Sequence, residues 1–182
     1  MVYVEQSVEI SADPETVFSL VTDIPRKARL DPNVRVLGVA QETEGPVGIG
    51  TTFHYRLAIE GKIADYRSRC IAFEPGQMIE TVSDSDPPFT VRVIVESSPA
   101  GTRLTQAESF TIPRIHIPLP TMDGWRGKLF RLLFGNKDVI QQDPSASEEE
   151  EARMEAKLKH RLLKWLEAIK QDLESKTSNL EA

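Results

Sequence analysis

The chain has 182 residues, of which 40% are hydrophobic and 27% charged, and its 22 basic against 28 acidic side chains give a net charge of -6 at pH 7. That length suits a single domain able to bury roughly 70% of its unfolded surface, and the ordinary composition excludes a disordered or fibrous chain. The acidic balance argues against a nucleic-acid surface, which needs clustered Lys and Arg, and the single Cys70 rules out an intrachain disulfide or a multi-cysteine metal site.

In chain order, Val2, Val4, Val8 and Ile10 alternate with Tyr3, Glu5, Ser7 and Glu9, the period-two signature of a half-buried strand, with Gln6 as the polar exception on the apolar side. This opening reads as structure, without the basic start and apolar run of a secretion signal. Asp13 followed by Pro14 predicts a capped helix carrying Val17, Phe18 and Val21 at helical spacing and ending near Asp23-Ile24-Pro25. A second, very short helix is expected over Arg26 to Leu30, before Asp31-Pro32-Asn33 turns the chain. Six strands follow: about Val34 to Glu42, Thr51 to Glu60, Lys62 to Phe73, Met78 to Ser83, Phe89 to Glu96 and Thr102 to Ile112. Short turns with Gly and Pro separate them, which reads as an antiparallel meander.

The pattern becomes irregular over 113–144, read as an insertion or lid. A long helix is expected over 145–176, with Ser147 and Glu150 spaced as a capping box. Met154, Leu158, Leu162, Trp165, Leu166, Ile169 and Leu173 form its apolar stripe. No apolar run approaches the roughly 20 residues of a membrane span. With one cysteine and no export signal, the expected location is the cytoplasm.

The order strand, two short helices, six-strand meander and long C-terminal helix resembles the SRPBCC, or START-like, superfamily of polyketide cyclase/dehydrase and lipid-transport type. Local stretches carry the likeness: Ser-Ala-Asp-Pro-Glu-Thr-Val-Phe at Ser11 to Phe18, Val-Thr-Asp at Val21 to Asp23 and Asp-Pro-Asn-Val at Asp31 to Val34. Val-Gly-Ile-Gly-Thr at Val47 to Thr51, Ala-Phe-Glu-Pro-Gly at Ala72 to Gly76 and Gly-Thr-Arg-Leu-Thr at Gly101 to Thr105 continue it. The resemblance implies an α+β helix-grip fold, a seven-stranded curved antiparallel sheet wrapped around the last helix, over all of 1–182. It also implies a cavity for an apolar molecule between sheet and helix. The chain departs from the family at Ala28 to Leu30, which lacks the tryptophan often found there, and in the length of 113–144.

Alternation assigns faces to the strands. Phe53, Tyr55, Leu57 and Ile59 share one side of their strand, and Phe89, Val91, Val93 and Val95 one side of theirs. With Asp65, Arg67 and Arg69 turned to solvent, Tyr66, Ser68 and Cys70 point inward. On the last strand Gln106 and Glu108 fall between Leu104 and Phe110, which turns an amide and a carboxyl toward the cavity. Such groups cost several kcal/mol on an apolar face unless hydrogen-bonded or neutralised. The expected wall is therefore Phe53, Tyr55, Leu57, Tyr66, Val91 and Val93 from the sheet with Leu162, Trp165 and Leu166 from the helix. Gln6, Gln106 and Glu108 would orient the polar end of a ligand.

Three functions compete on these residues. The first is binding or carriage of a hydrophobic small molecule, lipid or polyketide-like. The second is a cofactor-independent cyclase or dehydratase acting on a carbonyl substrate, in which Glu108, its pKa raised by burial, moves protons with Tyr66 or Tyr55. The third is a partner-binding module with a filled interior. A bulge that reverses the alternation, or pairing of Glu108 with Arg92, would remove the carboxyl from the cavity. The stretch holding Trp125, Leu129, Phe130, Leu133 and Phe134 mixes these with Arg126, Lys128 and Arg131, which reads either as a helix over the cavity mouth or as a peripheral membrane contact. His54, His116 and His160 give no metal-ligand spacing, and neither P-loop, dinucleotide fingerprint nor nucleophile elbow occurs.

Overall fold

A computed structural model of the chain describes residues 2–110 and 144–178, with side chains described over 2–110 and 152–175. The alternation of the first residues builds β1 (Val2–Ile10), with Val2, Val4, Val8 and Ile10 buried. Asp13 then caps α1 (Pro14–Thr22), its carboxylate accepting the Thr16 backbone N–H at 2.8 Å. The helix buries Val17, Leu20 and Val21. Next, α2 spans Ile24–Arg29, starting two residues before the expected Arg26. Asp23 closes α1 and also caps α2, accepting the Arg26 N–H at 3.1 Å. Pro25 lies in the first turn, where a helix has no use for the missing N–H.

The six strands of the meander are β2 (Arg35–Gln41), β3 (Thr52–Ile59), β4 (Lys62–Glu74), β5 (Met78–Ser83), β6 (Phe89–Ser98) and β7 (Gly101–Phe110). With β1 they form one antiparallel seven-stranded sheet in the order β1-β7-β6-β5-β4-β3-β2. Register shifts between Val36 and Gly38 in β2 and between Cys70 and Ala72 in β4 insert an extra residue into each strand. Bulges of this kind bend a strand and increase its twist, which helps to curl the sheet. The tight β6–β7 turn ends at Gly101, whose φ is +123°. A Cβ there would lie 2.5 Å from the Ile10 carbonyl oxygen, so only glycine lets this turn close against the end of β1.

The last helix, α3, runs Pro144–Ser178. At about 1.5 Å per residue it is long enough to cross the whole sheet. Leu158, Leu162, Leu166, Ile169 and Leu173 are buried along its predicted stripe. It packs chiefly on β1, with contact to β7. Polar ties fix its register: the Ser11 N–H donates to Glu174 at 2.9 Å, and Arg26 pairs with Asp172 at 2.6 Å. The Asn33 amide donates to the Arg161 carbonyl at 3.0 Å. This is the α+β helix-grip arrangement expected from the sequence. No helix among the described residues is long and apolar enough to cross a membrane. The proposed lid over 113–144 and the segment with Trp125, Leu129, Phe130, Leu133 and Phe134 lie outside the described residues, apart from Pro144 at the start of α3.

Candidate functional site

The core does not close into one mass. A large cluster joins β1, α1 and the β5–β7 part of the sheet to α3, while Leu57, Ile59 and Ala64 form a smaller one with Tyr55 and Tyr66 packed against it. Between the concave sheet face and α3 lies a cavity of about 170 Å3 that draws its lining from both clusters. With α3 packed chiefly on β1, the cavity lining reaches across the sheet to Tyr55 on β3 and Tyr66 on β4.

Its aromatic wall follows from strand register. Tyr55 and Tyr66 face each other across β3 and β4, and their rings stack at 5.0 Å with 6° between planes. Phe89 meets Tyr66 edge-on at 5.3 Å. Burial raises the pKa of both phenols, and Tyr66 is raised further by the negative groups around it.

Glu108 faces the cavity, as the alternation on β7 predicts. The β7 register with β1 and β6 is continuous, so no bulge reverses it. Arg92 is not its partner: it projects from the other face of β6 and pairs with Glu80 at 2.6 Å. The Glu108 carboxyl instead accepts the Gln106 side-chain N–H at 2.7 Å. Burial pushes its pKa up, against the pull of that hydrogen bond and of the positive charge on Lys27.

Of the other predicted wall residues, Leu57, Val91, Val93, Leu162 and Trp165 line the cavity. Phe53 and Leu166, 1% and 0% exposed, lie behind this lining in the packed core. Gln106 is also fully buried behind the wall, its carbonyl oxygen without a partner among the described residues, and its amide N–H positions Glu108. Gln6 sits opposite Gln106 across β1 and β7 but does not reach the lining. Cys70 is a buried thiol with a raised pKa, and its S–H donates to the Ala72 carbonyl at 3.4 Å.

Three charged residues of the lining were not singled out from the sequence: Lys27, Asp31 and Arg161. Ile24, Lys27 and Ala28 share the buried face of α2, so Lys27 enters with its apolar neighbours. Asp31 holds the following turn by accepting both the backbone and the side-chain N–H of Asn33 at 2.8 Å, and burial raises its pKa. Arg161 falls between Leu158 and Trp165 at helical spacing, the one sequence signal that could have placed it inward. Its Nη1 is buried without a hydrogen-bond partner among the described residues. Two acids and two bases thus converge on a cavity whose remaining lining is mostly aliphatic and aromatic, with Asn33, Ser68 and Thr81 as its other polar side chains.

A family model described as polyketide cyclase/dehydrase and lipid transport matches residues 1–135. No curated protein sequence matches the chain significantly. Among solved structures, the Zhui aromatase/cyclase from Streptomyces sp. R1128 superposes with a TM-score of 0.64 at 18% identity, over 96% of this chain and 94% of that one. The Polyketide_cyc-like protein Cgl2372 from Corynebacterium glutamicum gives 0.58 at 25% identity, covering 97% and 94%. The di-domain ARO/CYC StfQ of the steffimycin biosynthetic pathway gives 0.67 at 14% identity, covering 97% of this chain and 52% of that one.

Proposed function

The chain belongs to the polyketide cyclase/dehydrase and lipid transport family, and on that premise we propose that it binds a hydrophobic small molecule in the cavity between sheet and α3. The observation that carries this reading is the Glu108 carboxyl, set among apolar side chains of the sheet wall and held by Gln106 at 2.7 Å. A wall that served packing alone would be expected to carry an aliphatic side chain there, because a buried carboxyl costs free energy unless a partner satisfies it. A ligand hydroxyl or carbonyl supplies that partner, while Tyr55, Tyr66, Val91 and Leu162 contact its apolar body. The volume, about 170 Å3, exceeds slightly the ~150 Å3 of an engineered apolar cavity that accepts benzene. It favours a ligand of one or two rings, or one end of a longer lipid or polyketide-like chain.

The cyclase or dehydratase reading is supported by the same group. A carboxyl whose pKa is raised by burial, set beside tyrosines, is a candidate to give and take protons. Substituting Glu108→Gln separates the two, since a carrier keeps its ligand whereas an enzyme that needs the acid keeps binding and loses turnover. A partner-binding module without ligand calls for a filled interior, and the open cavity weighs against it. Native mass spectrometry of the purified protein, followed by extraction and identification of any retained molecule, tests the proposal directly. A protein that is reproducibly empty and also ignores hydrophobic fluorescent probes would refute ligand binding.

A further inference from the structure

Lys27 lines the cavity as a buried amine. Its side chain is 5% exposed, and its ammonium lies 4.8 Å from the centroid of the Trp165 ring. The indole N–H of Trp165 donates to the Lys27 carbonyl at 3.0 Å, fixing the two residues together. Among the described residues Nζ has neither an ion pair nor a hydrogen bond. A lysine retained so deep for structure alone would be paired, because burying an ammonium costs several kcal/mol. The charged and titratable groups around the cavity are Glu108 on β7, Asp31 after α2, Arg161 on α3, Tyr66 on β4 and Tyr55 on β3. Desolvation pushes the lysine pKa down to about 8, although Glu108 and Asp31 pull it upward.

We propose that Lys27 is a carbonyl-capturing amine, whose Nζ forms a Schiff base with an aldehyde or ketone carried by the small apolar ligand. The inference rests on the cavity binding such a molecule. In the addition step the Nζ lone pair forms the new C–N bond while the C=O π pair moves to oxygen. That oxygen takes a proton from the Glu108 or Asp31 carboxyl, and the nitrogen returns one to the carboxylate, leaving a carbinolamine. The same acid then protonates the hydroxyl, which departs as water as the nitrogen lone pair closes the C=N bond. One neutral amine, one carbonyl and one carboxyl give one protonated imine, one carboxylate and one water, with no redox change. The apolar wall limits the water available to reverse the reaction, and the Trp165 face favours the positive charge of the protonated imine. Desolvated lysines in apolar pockets are activated as nucleophiles in this way.

The test incubates the full chain with benzaldehyde and sodium cyanoborohydride at pH 7, with intact mass and peptide mapping as the readout. In parallel, ligand-observed NMR measures binding of benzyl alcohol, which has a similar shape but no carbonyl. At pH 7 about a tenth of amines with a pKa near 8 are neutral, against fewer than about a thousandth of ordinary lysines. One benzyl group per chain is therefore expected at Lys27, labelled at least about tenfold more than exposed lysines such as Lys62 or Lys157. Lys27→Met should abolish that label, with a circular dichroism spectrum matching wild type to show that the variant is folded. Benzyl alcohol binding with labels spread over surface lysines, and no excess at Lys27 in the wild-type map, would overturn carbonyl capture and leave the binding role intact. Failure of both probes to enter would overturn both.

Discussion

Replacing Lys27 by Met should make the protein more stable at neutral pH, although it removes a charged side chain that touches Trp165. In the folded state the lysine pKa is about 8, against an ordinary 10.5. Between those values the unfolded chain holds the extra proton, so stability rises with pH across this window and is depressed below it. The shift is 10.5 − 8 = 2.5, which at 1.36 kcal/mol for each unit amounts to about 3 kcal/mol of destabilisation below pH 8. Methionine keeps a flexible stem of similar shape without the ammonium. Losing the contact with the Trp165 face subtracts about 0.5–2 kcal/mol. The net expectation is a gain of about 1–3 kcal/mol at pH 7, shrinking to zero or below by pH 10.5. Urea denaturation of both proteins at several pH values between 6 and 10.5 measures it. Taking the difference cancels the tyrosines, which titrate equally in both. A variant less stable than wild type at pH 7, with a difference that does not change with pH, would show that the lysine is not held in a desolvated, depressed state.

Glu108→Gln should act in the opposite part of the pH range. Because the folded carboxyl titrates above its ordinary 4.5, wild-type stability falls as pH rises from there through the folded value, and the variant should lose that fall in matched denaturation curves. Gly101→Ala should cost about 2 kcal/mol or more, because the new Cβ meets the Ile10 carbonyl oxygen at 2.5 Å and φ is +123°; thermal unfolding reports it, and an unchanged melting temperature would contradict the close approach. Leu166→Ala, at a fully buried position on α3, should cost about 2–5 kcal/mol in denaturant titration, while leaving the cavity lining itself chemically unchanged.

Much of the fold was legible because a half-buried strand writes its environment into alternate residues. Val2–Ile10, read from that alternation, and Met78–Ser83, read as a run between turn signals, match the strands of the structure. The inward faces of β3, β4 and β7 also followed, including Tyr66 and Glu108. The start of α2 was misplaced because Pro25 reads equally well as a stop and as a first-turn residue, and the double capping by Asp23 becomes visible only when both helices are in place. Lys27 was missed because a six-residue helix spans fewer than two turns and shows almost no periodicity, and Asp31 because Asp31-Pro32-Asn33 reads as turn chemistry. Arg161 was missed because a charged residue on a long, lysine-rich helix is read as solvated, even at a position in step with Leu158 and Trp165.

The sequence by itself determined the order of elements, the faces of the strands and the stripe of α3, since each is fixed by local periodicity and turn chemistry. Tertiary structure decided how far those faces close on one another, and so which of their residues line the cavity and which lie behind it. It alone brought Lys27 from α2, Asp31 from the turn, Glu108 from β7 and Arg161 from α3 to a single cavity. Those residues span 135 positions in the chain (161 − 27 + 1). The desolvation that shifts Lys27, Asp31 and Glu108 arises from the atoms packed around them, which no local pattern records.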